Sequence, residues 1–332
     1  MKTRLKKNAL NSAGLSKDMT NISVGTGKDI PDSSAGFGKE ATGSSTGFGR
    51  DTVDLRLSEV FRRLLKNKLA AVSLIVLILI CLACILAPVL TTHSYTEINS
   101  AKRSSLPTRI NILGTDDFGR DAFARLLYGG RITLRIAFTS TVIATVIGGI
   151  IGLTAGYFGG KADMLISPLL DVLTAIPLMV LILAFELMMG WGQGNFMYAM
   201  ALAYIPQFAR LIRASTMSII ELGYIEASRA LGCSHMMIIC RHVLHNVAPP
   251  LVVRFFGCVA EALLTCTIVG YLQIGITPPT PEWGSIIYGA GSYIMNTKAL
   301  HLLIIPCAVV AACILSLNLL SDCIRDALDP QE

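Results

Sequence analysis

Charge is scarce in this sequence. Only 15% of its 332 residues are Asp, Glu, Lys or Arg, where a soluble domain carries about a quarter. Several chemistry-bearing patterns are also missing. No G-x-x-x-x-G-K-[ST] occurs, so nucleotide chemistry on a phosphate loop is excluded. "GFGKE" and "GFGRD" near the N-terminus carry glycines, but no strand precedes them and no GK[ST] follows. No H-E-x-x-H occurs, which removes one intramembrane metalloenzyme reading. No cofactor is expected. The first apolar run begins near residue 69, too late for a cleavable signal peptide.

What is present is apolar and clustered. Hydrophobic residues make up 53% of the chain, and the mean hydropathy is +0.60. Long stretches hold no charge at all, which indicates an all-α polytopic membrane protein. The net charge of +6 could suggest nucleic acid. The basic residues flank apolar runs, however, as the positive-inside bias requires. The nine cysteines are an odd number and lie mostly in or beside apolar runs, which argues against a disulfide framework. Cys81-x-x-Cys84 falls inside a spanning run and reads as packing, not redox chemistry.

Residues 1–53 are rich in Gly, Ser, Thr, Asp and Lys. Gly14, Gly25, Gly36 and Gly47 share one phase of a degenerate repeat, and Lys17, Lys28, Lys39 and Arg50 another. Glycine in every unit opposes a helix, and the units have almost nothing to bury, so a disordered tail is expected. Residues 54–68 predict an amphipathic helix, with Leu57, Val60, Phe61, Leu64 and Leu65 on one face. Its Arg and Lys residues suit an anionic membrane surface.

A bilayer core needs roughly 20 apolar residues per helix. Spans are expected over 69–90, 132–156, 164–189, 196–212, 251–272 and 299–320. Pro168 and Pro177 should kink the third, and Pro206 should interrupt the fourth. Basic residues before the first span, and Arg213, Arg229 and Arg241 after the fourth, put both termini in the cytoplasm. The external loop 91–131, with Lys102, Arg103, Arg109, Arg120, Arg125 and Arg131, fits that rule less well.

The link between spans four and five is far longer than a usual connection. It reads as two short helices around Gly232. One stripe is Ile220, Tyr224, Ala227 and Leu231; the other is Met236, Ile239, Val243 and Val247. Gly232 suits a helix C′ position, and Pro249 and Pro250 should end the second helix. Two amphipathic helices of this kind either receive a partner or lie on lipid.

This stretch, "EASRALGCSHMMIICRHVLHNVAPPL" from Glu226, resembles the EAA loop of ABC importer permeases. More narrowly it resembles the second permease subunit of the dipeptide, oligopeptide and nickel importers. "LGTDDFGRDAFARLLYGGRITL" from Leu113, "GLTAGYFGGKAD" from Gly152, "PPTPEWG" from Pro278 and "LNLLSDCIRDALDP" from Leu317 match in order. The resemblance covers residues 55–330. It implies a six-helix, non-catalytic subunit of the bacterial inner membrane. It implies pairing with a homologous permease, two ATPase subunits and an external solute-binding protein. It places ATPase coupling on Glu226, Ala227, Arg229, Gly232, Arg241 and His242. Peptide is the expected cargo, with nickel complexes or antimicrobial peptides as the alternative. A gradient-driven secondary transporter is the rival class, but it would show inverted repeats, and the halves here show no such symmetry.

The chain departs from that family at His245, where Pro is usual. Cys266 stands where Glu is expected, Gly270 at a Ser and Gln273 at a Gly. Asp171, Glu261, Cys266 and Gln273 are the expected pathway or subunit-interface positions, since ionisable groups within spans face a partner or water. Glu186, near the outer end of span three, is expected to reach the interface or the pathway. His235, His242 and His245 make poor ligand geometry for a metal. "GTDDFGRD" (114–121) lacks the spacing of a calcium loop and reads as an external turn.

Overall fold

A computed structural model describes residues 67–276, 278–295 and 299–328. The repeat tail and the expected amphipathic segment up to residue 66 lie outside them. Nine helices of eight or more residues organise the described chain: α1 (Lys68–Ile85), α2 (Ala122–Phe158), α3 (Gly160–Ala175), α4 (Leu178–Met189), α5 (Gln193–Ile220), α6 (Gly223–Ala230), α7 (His235–Tyr271), α8 (Trp283–Ala290) and α9 (His301–Leu328). One isolated bridge, Thr115 to Asp121, is the only extended pairing among the described residues.

Four of these helices, α1, α2, α7 and α9, are long and apolar enough to cross a membrane. Helices α3 and α4 pass the same test only together, bent by 100° at the short break between them. The cause of the bend is local. Ile176 precedes Pro177 and is driven into extended backbone (φ −81°, ψ 131°), where no helix can continue. Pro168, by contrast, sits inside α3 without stopping it.

The pairing of α2 with α5 organises the bundle. Gly148, Gly152 and Gly156 of α2 face residues 205–209, 209–213 and 213–216 of α5. A Cβ at Gly148 would stand 2.8 Å from the Ile205 carbonyl oxygen, and one at Gly156 equally close to that of Arg213. Numbers rise together on both helices, so the two run parallel. Small residues at every fourth position permit this approach of backbones, which is how helices associate where lipid removes the hydrophobic drive. A parallel pair needs a return path, and the bent α3–α4 segment provides it.

Helix α5 is 28 residues long but too polar to pass the apolarity test. Gln207, Arg210 and Arg213 interrupt it. It does not need lipid-compatible faces, because Ala199, Met200, Ala203, Tyr204, Phe208, Ala209 and Ile212 are buried in protein. Around it lies the main core, with Trp283, Phe196, Ile136, Ile182 and Leu263. Two of its polar groups are paired: Trp283 Nε1 donates to the Leu126 carbonyl at 2.9 Å, and the hydroxyls of Tyr204 and Thr265 lie 3.1 Å apart. Helix α1 packs on α9 and α2 at the margin. It buries little more than Ala70, Ser73 and Cys84, leaving Leu69, Val72, Ile75 and Leu79 outward.

Three expectations are corrected. Pro206 lies within a continuous α5. Pro249 and Pro250 lie within α7 and do not end it. In a packed bundle the carbonyls that a proline frees are taken up by neighbours or by local π adjustment, so the aqueous rule fails. Helix α2 starts at Ala122, ahead of the expected span at 132, because Asp121 caps it: its Oδ2 accepts from the Ala124 N–H at 2.8 Å.

Candidate functional site

The elbow around Gly232 is built from three local decisions. Helix α6 ends in a Schellman motif, in which the Gly232 N–H donates to the Arg229 carbonyl and the Cys233 N–H to that of Ser228. Gly232 has φ +81°, and nothing lies within 4 Å of where its Cβ would stand. Its requirement is therefore backbone conformation, not space. Ser234 then caps α7, its Oγ accepting from the Met237 N–H at 3.3 Å.

The elbow is fixed to the bundle by one face. Ile225, Ile238, Val243 and Val247 are buried with Ile212, Ile219 and Tyr157. Residues 239–243 form a π-turn. That turn explains the spacing, since its wider pitch brings Ile238 and Val243, five apart, onto one side. Tyr157, at the end of α2, adds polar ties: its hydroxyl lies 2.9 Å from His235 Nδ1, and the Arg229 guanidinium sits 5.7 Å from its ring centre. Asn246 Nδ2 donates to the Tyr224 hydroxyl at 3.1 Å and to the His242 carbonyl at 2.7 Å.

Tyr224, Ala227 and Leu231 of the first expected stripe point away from the bundle, as a face for a partner or lipid requires, and Ile225 faces the bundle in their place. The outward surface carries Leu222, Tyr224, Leu231, Met236 and Met237, with Leu231 85% and Met236 68% exposed. Glu226, Ala227, Arg229 and Arg241 are exposed around them, and the His242 ring packs on Tyr224 at 6.0 Å. Five of the six expected coupling positions thus share the exposed side of one elbow, with His242 half-buried beside it.

The expected pathway positions do not form one site. Asp171 on α3 accepts from Arg210 of α5 at 2.7 Å, and Arg210 also reaches Thr174. Asp163 and Arg213 make a second, two-point pair between the same helices, and Ser167 donates to Asp163. Glu261 instead pairs with Arg254 at 3.2 Å, about two turns away on α7, and Arg254 also holds Gln207. Arg254 and Glu261 line a groove of about 940 Å³ between α7 and α9, which Asn318, Asp322 and Arg325 continue.

Cys266 and Gln273 lie at the other end of α7. Gln273 has φ +61° and closes a second Schellman motif, its N–H donating to Gly270 and that of Ile274 to Val269. The left-handed backbone explains why glycine would be at ease there. Cys266 Sγ lies 3.9 Å from Glu282 Oε1. Glu282 is 1% exposed and caps α8, its Oε2 accepting from the Ser285 N–H at 2.9 Å while Thr133 Oγ1 donates to Oε1 at 3.2 Å. It escaped sequence reading; Pro281 and the E-x-x-S spacing ahead of an apolar run were its signal. Gly270 and Gly284 leave room for its carboxylate, since a Cβ at either would collide with it or with the backbone it touches.

Burial raises the Glu282 carboxyl to about 7, against lowering by the N–H groups of Gly284 and Ser285. A folded pKa above the unfolded one means the folded chain binds the extra proton, so stability is fullest at acid pH and is lost as pH rises towards 7. Glu282→Gln should flatten this dependence. Melting of the detergent-solubilised chain from pH 5 to 8 should show a falling midpoint in the parent and a nearly level one in the variant. Equal slopes would refute it.

Glu186 is a correction. Its side chain does not reach outward: it is 1% exposed beside Gly275, and neither carboxylate oxygen has a hydrogen-bond partner among the described residues. The 114–121 turn satisfies its own carboxylates. Asp116 accepts from the N–H groups of Phe118 and Arg120, Asp121 from Asn111 and Ala124, and Asp117 from Tyr293 at 2.8 Å.

Comparison with known proteins agrees with this architecture. Residues 148–331 match the model for the binding-protein-dependent transport system inner membrane component, and residues 56–107 match the N-terminal TM domain of oligopeptide transport permease C. A dipeptide transport system permease protein, DppC, from Alkalihalophilus pseudofirmus is 37% identical over 82% of this chain and 89% of its own length. The glutathione transport system permease GsiD of Pectobacterium atrosepticum is 36% identical over 82% and 90%. The probable D,D-dipeptide transport system permease DdpC of Escherichia coli K12 is 31% identical over 80% and 88%.

Proposed function

Since this chain belongs to the family of inner membrane components of binding-protein-dependent transport systems, we propose that it couples ATP hydrolysis on companion subunits to the import of short peptides. The chain is a multi-pass permease subunit of an ABC importer. The elbow at Gly232 carries the coupling reading. It is held rigidly to α2 and α5 by Tyr157 and the Ile225–Ile238 face, yet presents Leu231 and Met236 bare to the outside. A rigid mount with an unpartnered apolar tip transmits displacement from whatever docks on it.

In this reading Glu226, Ala227, Gly232, Arg229, Arg241 and His242 form the contact with an ATPase subunit. Two such ATPases close on ATP and move the elbows of two paired permeases, the second a homologous chain. An extracytoplasmic binding protein delivers the solute. The chain itself carries out no catalysis. Six crossings, with α3–α4 and α5 as the third and fourth, leave both termini and the residue 1–53 tail in the cytoplasm. Asp171, Glu261 and Gln273 face the pathway or the paired permease; Cys266, expected among them, is instead fully buried against Glu282. Peptide cargo is favoured because the relatives named above are permeases for dipeptides, D,D-dipeptides and glutathione, all peptide-like.

The test is a cysteine placed at Met236 in the assembled importer. Bifunctional thiol reagents should join it to the ATPase subunit, and ATP should change the yield. Failure to obtain that product from an importer that still transports would refute the docking role.

A further inference from the structure

An apolar groove of about 430 Å³ runs between α1, α2 and α7, apart from the elbow and from the expected pathway positions. Its floor is Cys84, Val259 and Leu317, all buried. Its side wall is a chain of edge-on rings, Phe138 to Phe255 at 5.7 Å and Phe255 to Phe256 at 5.6 Å. Along the rim stand Arg131 and Arg135, one turn apart on α2 and both exposed.

These two arginines are the anomaly. They lie in a helix that crosses the membrane, and Arg135 falls inside the stretch that apolarity assigns to the span. Neither has an ion pair or a hydrogen bond among the described residues, although Arg210, Arg213 and Arg254 elsewhere in the bundle are all paired. At the outer edge of the span these guanidiniums stand at the level of lipid headgroups, where an anionic group can meet them. No acidic residue lines the groove. The partner must therefore bring negative charge from outside and fill an apolar slot beside it.

We infer that this groove binds an anionic phospholipid, with its phosphate on Arg131 and Arg135 and one acyl chain along Phe138, Phe255 and Phe256. A single lipid molecule joins both requirements covalently. A helix of a neighbouring subunit would meet them only by carrying a carboxylate at the same depth. The inference rests on the membrane-spanning architecture and is independent of how ATP is coupled.

The assembled importer, delipidated in detergent, should be titrated with 1-palmitoyl-2-oleoyl phosphatidylglycerol and, separately, with the matching phosphatidylcholine, and bound lipid counted by native mass spectrometry. Phosphatidylglycerol should bind in preference. The R131Q/R135Q double variant should lose that preference, with affinity down about tenfold or more, since each basic residue contributes about 1 kcal/mol at an anionic lipid surface. Leu134→Trp, which fills the groove and spares both arginines, should weaken phosphatidylglycerol binding as well. Inorganic phosphate at millimolar concentration should not compete, because it lacks the chain. A photo-crosslinker at Phe138 should label lipid. Binding unchanged in the double variant, full competition by phosphate, or labelling of the paired permease in place of lipid would each overturn the inference.

Discussion

Leu231→Asp should leave the chain in the membrane at normal abundance while cutting solute uptake at least about tenfold. The two halves of this expectation have separate physical origins. Leu231 is 85% exposed, so its replacement removes almost no contact within the chain, and surface changes of that kind stay within about 0.5 kcal/mol. On a docked ATPase the same side chain is buried, where a leucine contributes about 1.5–3 kcal/mol. A carboxylate in its place adds the cost of desolvating a charge. Each 1.4 kcal/mol is about tenfold in affinity. The measurements are uptake by cells, the amount of chain in washed membranes, and the ATPase that co-purifies with it. Gly232→Ala is the informative companion. No neighbour stands where its Cβ would go, so only the left-handed backbone is penalised, by about 1–2 kcal/mol. It should tilt the elbow and impair uptake less than Leu231→Asp does. Normal uptake in the aspartate variant would mean that the tip of the elbow does not dock.

Much of the elbow was legible because its rules are local. Gly232 could be placed from the need for a left-handed residue after α6, and the structure gives it φ +81°. Which face of α6 is buried was not legible. Helical spacing marked Tyr224, Ala227 and Leu231 as an apolar stripe for a partner or for lipid, and they do point out, but it did not show that a single residue, Ile225, anchors the helix to the bundle. A helix of eight residues has too few turns for periodicity to separate an anchoring face from a docking face. On α7 the π-turn at 239–243 shifts the phase, so a pattern drawn at regular helical spacing runs off the buried side. Prolines misled for a different reason. Pro206, Pro249 and Pro250 were read by the rule for exposed helices, and a bundle supplies what that rule assumes is missing. Glu282 had a local signal only for its cap on Ser285; its other partners, Thr133 and Cys266, come from distant parts of the chain, and no local window contains them.

Gly152→Leu should prevent the chain from folding into a monodisperse species at all. A Cβ at that position would run into the Ala209 carbonyl and stand 3.0 Å from both the Arg213 nitrogen and Ile212 Cβ. None of these is the free end of a flexible side chain, so the helices themselves must separate. Overpacking costs typically about 1–3 kcal/mol where side chains can shift; here the backbone has to move, and the damage does not stay local. Gly148 and Gly156 hold the same two helices together one turn to either side, and rigid rods cannot open at one level only. Opening them also pulls Arg213 from Asp163, which fastens α3 to α5, and Ile212 from the cluster that mounts the elbow. Gly149→Ala is the control, since its Cβ would meet only Ile212 Cδ1 at 3.4 Å, an ordinary contact with a side-chain end. Size-exclusion chromatography of fluorescently tagged chains from solubilised membranes distinguishes the two. The alanine variant should keep the symmetrical peak of the parent, and the leucine variant should shift to the void volume. A normal peak for Gly152→Leu would show that α2 and α5 do not run side by side in this register, and the return path through the bent α3–α4 segment would lose its basis.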